Sequence, residues 1–133
     1  MPYEYFEHRA DIGIRGIGRT VEEAFEQIAR ALFGIMVEIE EIHPVEKQIV
    51  EVEGLDYEEL LMAWLSELIY LKDVEAKMYV NFEILQMSET SLKAQIYGQT
   101  IDFNELKLKL EVKAATWTQL SVGKKGAYWI AQC

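Results

Sequence analysis

Cysteine is almost missing from this chain of 133 residues: the single thiol belongs to Cys133, the last residue. One cysteine excludes an intrachain disulfide framework and a zinc site built on cysteines. The cytoplasm, where thiols stay reduced, is the expected compartment. Proline is equally scarce, and Pro2 and Pro44 both sit at the periphery of the pattern. No apolar run approaches the ~20 residues a helix needs to cross a bilayer. The first twenty residues carry Glu4, Glu7, Arg9 and Asp11 and no apolar stretch, which is unlike a signal peptide. Positive charge is in short supply: 13 Lys and Arg stand against 23 Asp and Glu, a net charge of −10. Nucleic-acid affinity rests largely on Lys and Arg contacts to phosphate, so tight autonomous binding to RNA or DNA is not expected. An acidic surface suits docking to a basic protein face, or simply keeps the molecule solvated. Enzyme signatures are also missing. The sequence holds no Gly-x-Ser-x-Gly elbow, no phosphate loop and no His-Glu-x-x-His, and a Cys–His pair would need the terminal Cys133. A non-enzymatic role is expected.

What is present is strong periodicity. The length suits one domain, residues 1–133. Thr20 and Glu23 form a capping-box pattern. Behind it, Phe25, Ile28, Ala29 and Leu32 fall on one helical stripe, with Gly34 as the expected stop. Residues 45–53 alternate as a strand. Asp56 and Glu59 repeat the capping logic before a second stripe of Leu61, Trp64, Leu65 and Leu68. From residue 77 the period becomes two: Met78, Val80, Phe82 and Ile84, then Leu92, Ala94 and Ile96 after a turn through residues 88–91, then Leu106 to Ala114. A last hairpin is expected to turn at Gly123-Lys124-Lys125-Gly126. These elements predict an α+β two-layer sandwich. Its two amphipathic helices would lie on one face of a mixed, mostly antiparallel sheet.

The segment from Glu7 to Gly18 carries the main functional candidate. Asp11 stands at the mouth of an apolar strand containing Ile12, Ile14 and Ile17. Asp is a poor strand residue, because its side chain competes for backbone hydrogen bonds. It therefore either caps a turn or is displayed for binding. His8 precedes it by three residues, a spacing that sets the two on opposite faces of a strand unless the chain bends. His43 reads as exposed, Asp102 as a turn residue, and Trp64 and Trp117 as core. Gly13, Gly16 and Gly18 do not form a dinucleotide fingerprint. They mark a bulge or a close backbone approach.

The opening Glu7-His8-Arg9-Ala10-Asp11-Ile12, followed by the helix from Thr20 to Gly34, resembles the archease family. The likeness continues through Leu60–Leu71, Phe82-Glu83-Ile84, Gly98–Asp102 and Glu111–Ala114, in family order and over nearly the whole chain. It implies an accessory protein that assists an RtcB-type RNA ligase in tRNA splicing by promoting guanylylation and multiple turnover. The alternative it implies is a chaperone-like modulator of an RNA- or DNA-modifying enzyme such as a tRNA methyltransferase. In archeases the residue matching Asp11 helps bind a divalent metal together with a second Asp near the C-terminus. Calcium is the first candidate, with magnesium and manganese behind it. The family's ending continues beyond Trp129-Ile130-Ala131-Gln132-Cys133 to that second Asp, so either the sequence is truncated after Cys133 or this member has lost the site. Family polar positions also differ at Arg9, Ala63, Leu106 and Thr116-Trp117-Thr118.

Overall fold

The structure is a computed structural model that describes residues 2–8, 11–102, 115 and 120–133, without the side chains of residues 6–8, 11 and 12. Two strands open the chain, β1 (Tyr3–His8) and β2 (Asp11–Gly18). Helix α1 (Val21–Met36) follows, then a short 3-10 turn at Ile39–Glu41 and strand β3 (Glu46–Glu53). Helix α2 (Tyr57–Glu75) leads into β4 (Lys77–Met87) and β5 (Ser91–Thr100). Strands β6 (Ser121–Lys125) and β7 (Tyr128–Gln132) close the fold. The α+β class therefore holds. The described strands divide into two sheets, β1-β2-β7-β6 and β3-β5-β4, and all their pairings are antiparallel. The expected strand over residues 106–114, and Trp117, lie outside the described residues.

Both helices start where their caps dictate. Thr20 Oγ1 accepts from the Glu23 amide at 3.1 Å, and Asp56 Oδ1 accepts from the Glu59 amide at 2.8 Å. Each bond satisfies a donor that the first helical turn leaves without a partner. The expected stop at Gly34 is wrong. Helix α1 runs on to Met36 and ends where Val37 turns extended, its N–H still bonded to the Phe33 carbonyl at 3.0 Å. Gly34 serves packing instead: a Cβ there would stand 2.8 Å from the Tyr5 hydroxyl.

The core forms where α1 bridges the two sheets. On one side α1 lies so close to β2 that a Cβ on Gly16 would meet the Ala24 carbonyl oxygen at 2.1 Å. A Cβ on Gly18 would stand 2.6 Å from the Ala24 nitrogen. These glycines mark the close approach expected of them. On its other side α1 meets β4 through aromatics. Phe33 stacks on Phe82 with centroids 5.8 Å apart and meets the edge of Tyr79 at 5.9 Å. Trp64 of α2 is fully buried, sets its ring edge-on to Phe82 and donates Nε1 to the Phe25 carbonyl at 3.1 Å. Helix α2 buries more than its sequence stripe. Leu60, Met62, Ile69, Leu71 and the stem of Lys72 are also enclosed, and the Lys72 ammonium meets the adjacent Asp73 carboxylate at 2.5 Å. No described helix is long and apolar enough to cross a membrane.

The expected hairpin turn is displaced. Residues Gly126 and Ala127 make it, and Lys124 and Lys125 are strand residues opposite Trp129 and Tyr128. A tight hairpin needs positive φ inside its turn, which glycine adopts without steric cost. Gly126 has φ 63°, whereas a turn centred on the lysines would force such a conformation on a Cβ-bearing residue.

Candidate functional site at the mouth of the first hairpin

Strand β1 is not evident from the sequence pattern, and it changes the geometry around Asp11. Strands β1 and β2 pair antiparallel from Tyr3 opposite Gly16 to His8 opposite Asp11. The chain therefore reverses between His8 and Asp11. The two residues are directly opposed across the ladder rather than strung along one strand. This is the bend on which a His–carboxylate pairing depends. Directly opposed positions have Cβ atoms about 5 Å apart.

The other side of β2 pairs with β7, from Gly18 opposite Trp129 to Arg15 opposite Gln132. The ladder continues one step further, since Ile14 and Cys133 exchange both backbone hydrogen bonds, at 3.0 and 3.1 Å. Paired residue numbers on these strands add up to 147, so the position opposite Asp11 in a longer β7 would be 136.

Arg15 ties this part of the sheet together. It lies in one row with Glu4 and Gln132. Its Nη1 donates to Glu4 Oε2 at 2.7 Å and its Nε donates to Gln132 Oε1 at 3.0 Å. One guanidinium thus links three strands and opposes a register slip that would carry Asp11 away from His8. Sequence reasoning missed this residue, because its partners lie 11 and 117 positions away. Strand β1 is held against α1 by Tyr5, whose hydroxyl reaches the Ala31 carbonyl at 3.5 Å. Burial, reinforced by the neighbouring Tyr3, pushes the Tyr5 hydroxyl up to about 12.

Two more carboxylates hold structure. Glu46 accepts from Lys77 Nζ at 2.9 Å, the Thr100 hydroxyl at 2.8 Å and the Thr100 amide at 2.6 Å. It thereby joins β3, β4 and β5 at one end of their sheet. The Lys77 hydrogen bond, followed by those from Thr100, pulls its carboxyl down to about 2. Glu26 of α1 accepts from the Ile84 amide at 2.9 Å, beside an irregularity in the β4–β5 ladder. Burial raises its carboxyl above the ordinary range, against the lowering effect of that hydrogen bond. Among the other sequence candidates, His43 is exposed and donates its backbone N–H to Gln99 Oε1 at 2.6 Å. Asp102 is exposed just beyond β5. Among the described residues no group of three or more His, Cys, Asp or Glu forms a metal-binding cluster.

The model of the archease protein family (MTH1598/TM1083) matches residues 3–133. The chain belongs to the archease family. Protein archease of Pyrococcus abyssi is 41% identical over 134 residues, covering 98% of this chain and 94% of that one. The archease of Thermococcus gammatolerans is 40% identical with the same coverage. Among solved structures, protein 1598 of Methanobacterium thermoautotrophicum superposes with a TM-score of 0.82 at 27% identity, covering 98% of this chain and 95% of that one. An archease of Thermotoga maritima, described as a possible chaperone, has a TM-score of 0.57 at 19% identity, a likeness of fold. Its coverage is 96% of this chain and 91% of that one. The archease match thus takes in both strands of the β2–β7 ladder.

Proposed function

We propose that this chain is an accessory protein that activates an RtcB-type tRNA-splicing RNA ligase, promoting its guanylylation so that it turns over repeatedly. The ligase itself joins a 2′,3′-cyclic phosphate end to a 5′-hydroxyl end. Archease membership across residues 3–133 carries this reading. The register around Asp11 supports the part assigned to that residue, since it sets Asp11 opposite His8 at the end of the β1–β2 ladder. In this mechanism Asp11 enters the ligase's nucleotide pocket and orients a reacting group there. Positioning and preorganised charge of this kind change rates greatly without new covalent chemistry.

Calcium, or magnesium or manganese, is the metal class that carboxylate oxygens suit, but such ions take about six or more oxygens. Asp11 would supply one carboxylate to such a set, and the position opposite it on β7 would be 136. The test is a multiple-turnover ligation assay with the ligase of the same cell. Wild type is expected to stimulate, and Asp11→Ala to fold but not stimulate. Asp11→Asn keeps the size and loses the charge, so it is expected to fail nearly as badly. Full stimulation by Asp11→Asn would sink the active carboxylate, because Asn caps a turn as well as Asp does. A chaperone-like modulator of a tRNA methyltransferase or similar enzyme would then be the better account.

A further inference from the structure

The basic residues scattered through this acidic sequence do not stay scattered in the fold. Gly18, Trp129 and Lys124 lie in one row across β2, β7 and β6, and Tyr128 and Lys125 are opposed in the next row. Arg19 follows Gly18 directly, so it leaves the sheet at the same end. Neighbouring strands are about 4.8 Å apart, so Lys124 and the end of β2 are separated by about 10 Å. Arg19, Lys124 and Lys125 are all exposed. Arg15, Lys72, Lys77 and Lys93 each pair with a carboxylate, but no ion pair among the described residues engages these three. Residues 121–128 contain no acidic side chain.

An aromatic surface accompanies the charge. Tyr128 is 47% exposed beside Lys125. Next to it, Trp129 is half-buried with its ring edge-on to Tyr57, centroids 5.8 Å apart, which anchors β7 to α2. The Glu58 carboxylate, accepting from the Val122 amide at 3.3 Å, anchors β6 to the same helix. Among the described residues, a Cβ on Gly123 would meet nothing within 4 Å. Tyr128 and Lys125 thus share one face of a held hairpin end, Lys124 projects from the other face beside Trp129, and among the described residues no ion pair engages these cations.

We propose that this hairpin end, formed by Arg19, Lys124, Lys125 and Tyr128, contacts a single strand of RNA. Phosphates would meet the cations and a base would stack on Tyr128. An acidic peptide would satisfy the charges but leave the ring unused. The inference rests on the ligase-accessory reading, because that ligase works on RNA ends, and it adds that the accessory chain itself touches the strand. Three cationic contacts imply a log–log salt slope of about −2 for single strands. The net charge of −10 keeps the affinity weak. The contact is therefore compatible with the expectation of no tight autonomous RNA binding and would matter once the ligase holds the strand nearby.

The experiment needs no ligase. The isotopically labelled full chain is titrated with a short single-stranded oligoribonucleotide at about 50 mM salt, and amide shifts are followed by NMR. A polyglutamate of matched charge is titrated in parallel. The expected shifts fall on Arg19 and residues 121–129 and weaken with salt at a slope of about −2. Lys124→Glu with Lys125→Glu is expected to abolish them, and Lys124→Gln with Lys125→Gln to weaken them while leaving the spectrum folded. Tyr128→Ala is expected to weaken binding by about fivefold or more without changing the salt slope. Shifts located elsewhere, shifts that survive the charge reversal, or equal binding of polyglutamate would overturn the proposal. Failure here with ligase stimulation intact would sink this inference alone. Binding here without stimulation would sink the ligase reading alone.

Discussion

Trp64→Ala removes the side chain that couples α2 to both α1 and β4. Trp64 has no exposed surface, lies edge-on to Phe82 with centroids 6.2 Å apart and donates to the Phe25 carbonyl at 3.1 Å. Truncating such a residue loses its transfer free energy and leaves a cavity, which together cost about 3–5 kcal/mol. The Phe25 carbonyl lies inside α1 and keeps its helical partner, so the lost indole bond adds little beyond about 1 kcal/mol. Domains of this kind are stable by about 5–15 kcal/mol, so the variant folds but loses a large share of its margin. Trp64→Phe separates the two contributions. It keeps an apolar ring and loses the N–H, and is expected to cost about 1–2 kcal/mol. Urea unfolding of the three proteins measures both, with the midpoint falling at constant m-value. A Trp64→Ala loss below about 1 kcal/mol would refute the assigned packing, since that is the range of ordinary substitutions.

Gly16→Ala is expected to destabilise by about 1–3 kcal/mol, because its Cβ would meet the Ala24 oxygen at 2.1 Å and the Ile28 nitrogen at 2.4 Å; a melting temperature equal to wild type would show that α1 does not lie on β2 this closely. Ala76 closes α2 with a left-handed φ of 54°. Ala76→Gly is therefore expected to raise stability by about 1 kcal/mol, read as a higher urea midpoint. Glu46 has its carboxyl lowered from 4.5 to about 2, so its contribution is complete above the unfolded value and is lost as pH falls through about 2. Urea midpoints measured from pH 6 to pH 2 should fall more steeply for wild type than for Glu46→Gln, and parallel curves would refute the clasp. Appending Val-Val-Asp-Val after Cys133 sets the new carboxylate at position 136, opposite Asp11. Calorimetry is expected to show a gain of calcium affinity that disappears in Asp11→Asn; no gain would mean that Asp11 does not face that position.

The sequence by itself determined what acts over three or four residues. The caps at Thr20 and Asp56, the stripe from Phe25 to Leu32 and the alternation through β4 and β5 were legible because each depends on near neighbours along one element. Asp11 was legible as an oddity, a carboxylate where an apolar strand begins. Its surroundings were not. The His8–Asp11 opposition requires β1, and alternating aromatics at Tyr3 and Tyr5 do not announce a strand without the partner that covers them. Gly34 carries the same signal whether it ends a helix or makes room for a tyrosine, and only the packing of Tyr5 against α1 distinguishes the two. The β2–β7 register, the three-strand bridge at Arg15, the Glu26–Ile84 bond and the gathering of Arg19 with Lys124 and Lys125 were decided by tertiary structure. Strand register answers to burial of whole faces, with partners more than a hundred residues apart, and no local pattern in the chain encodes that pairing.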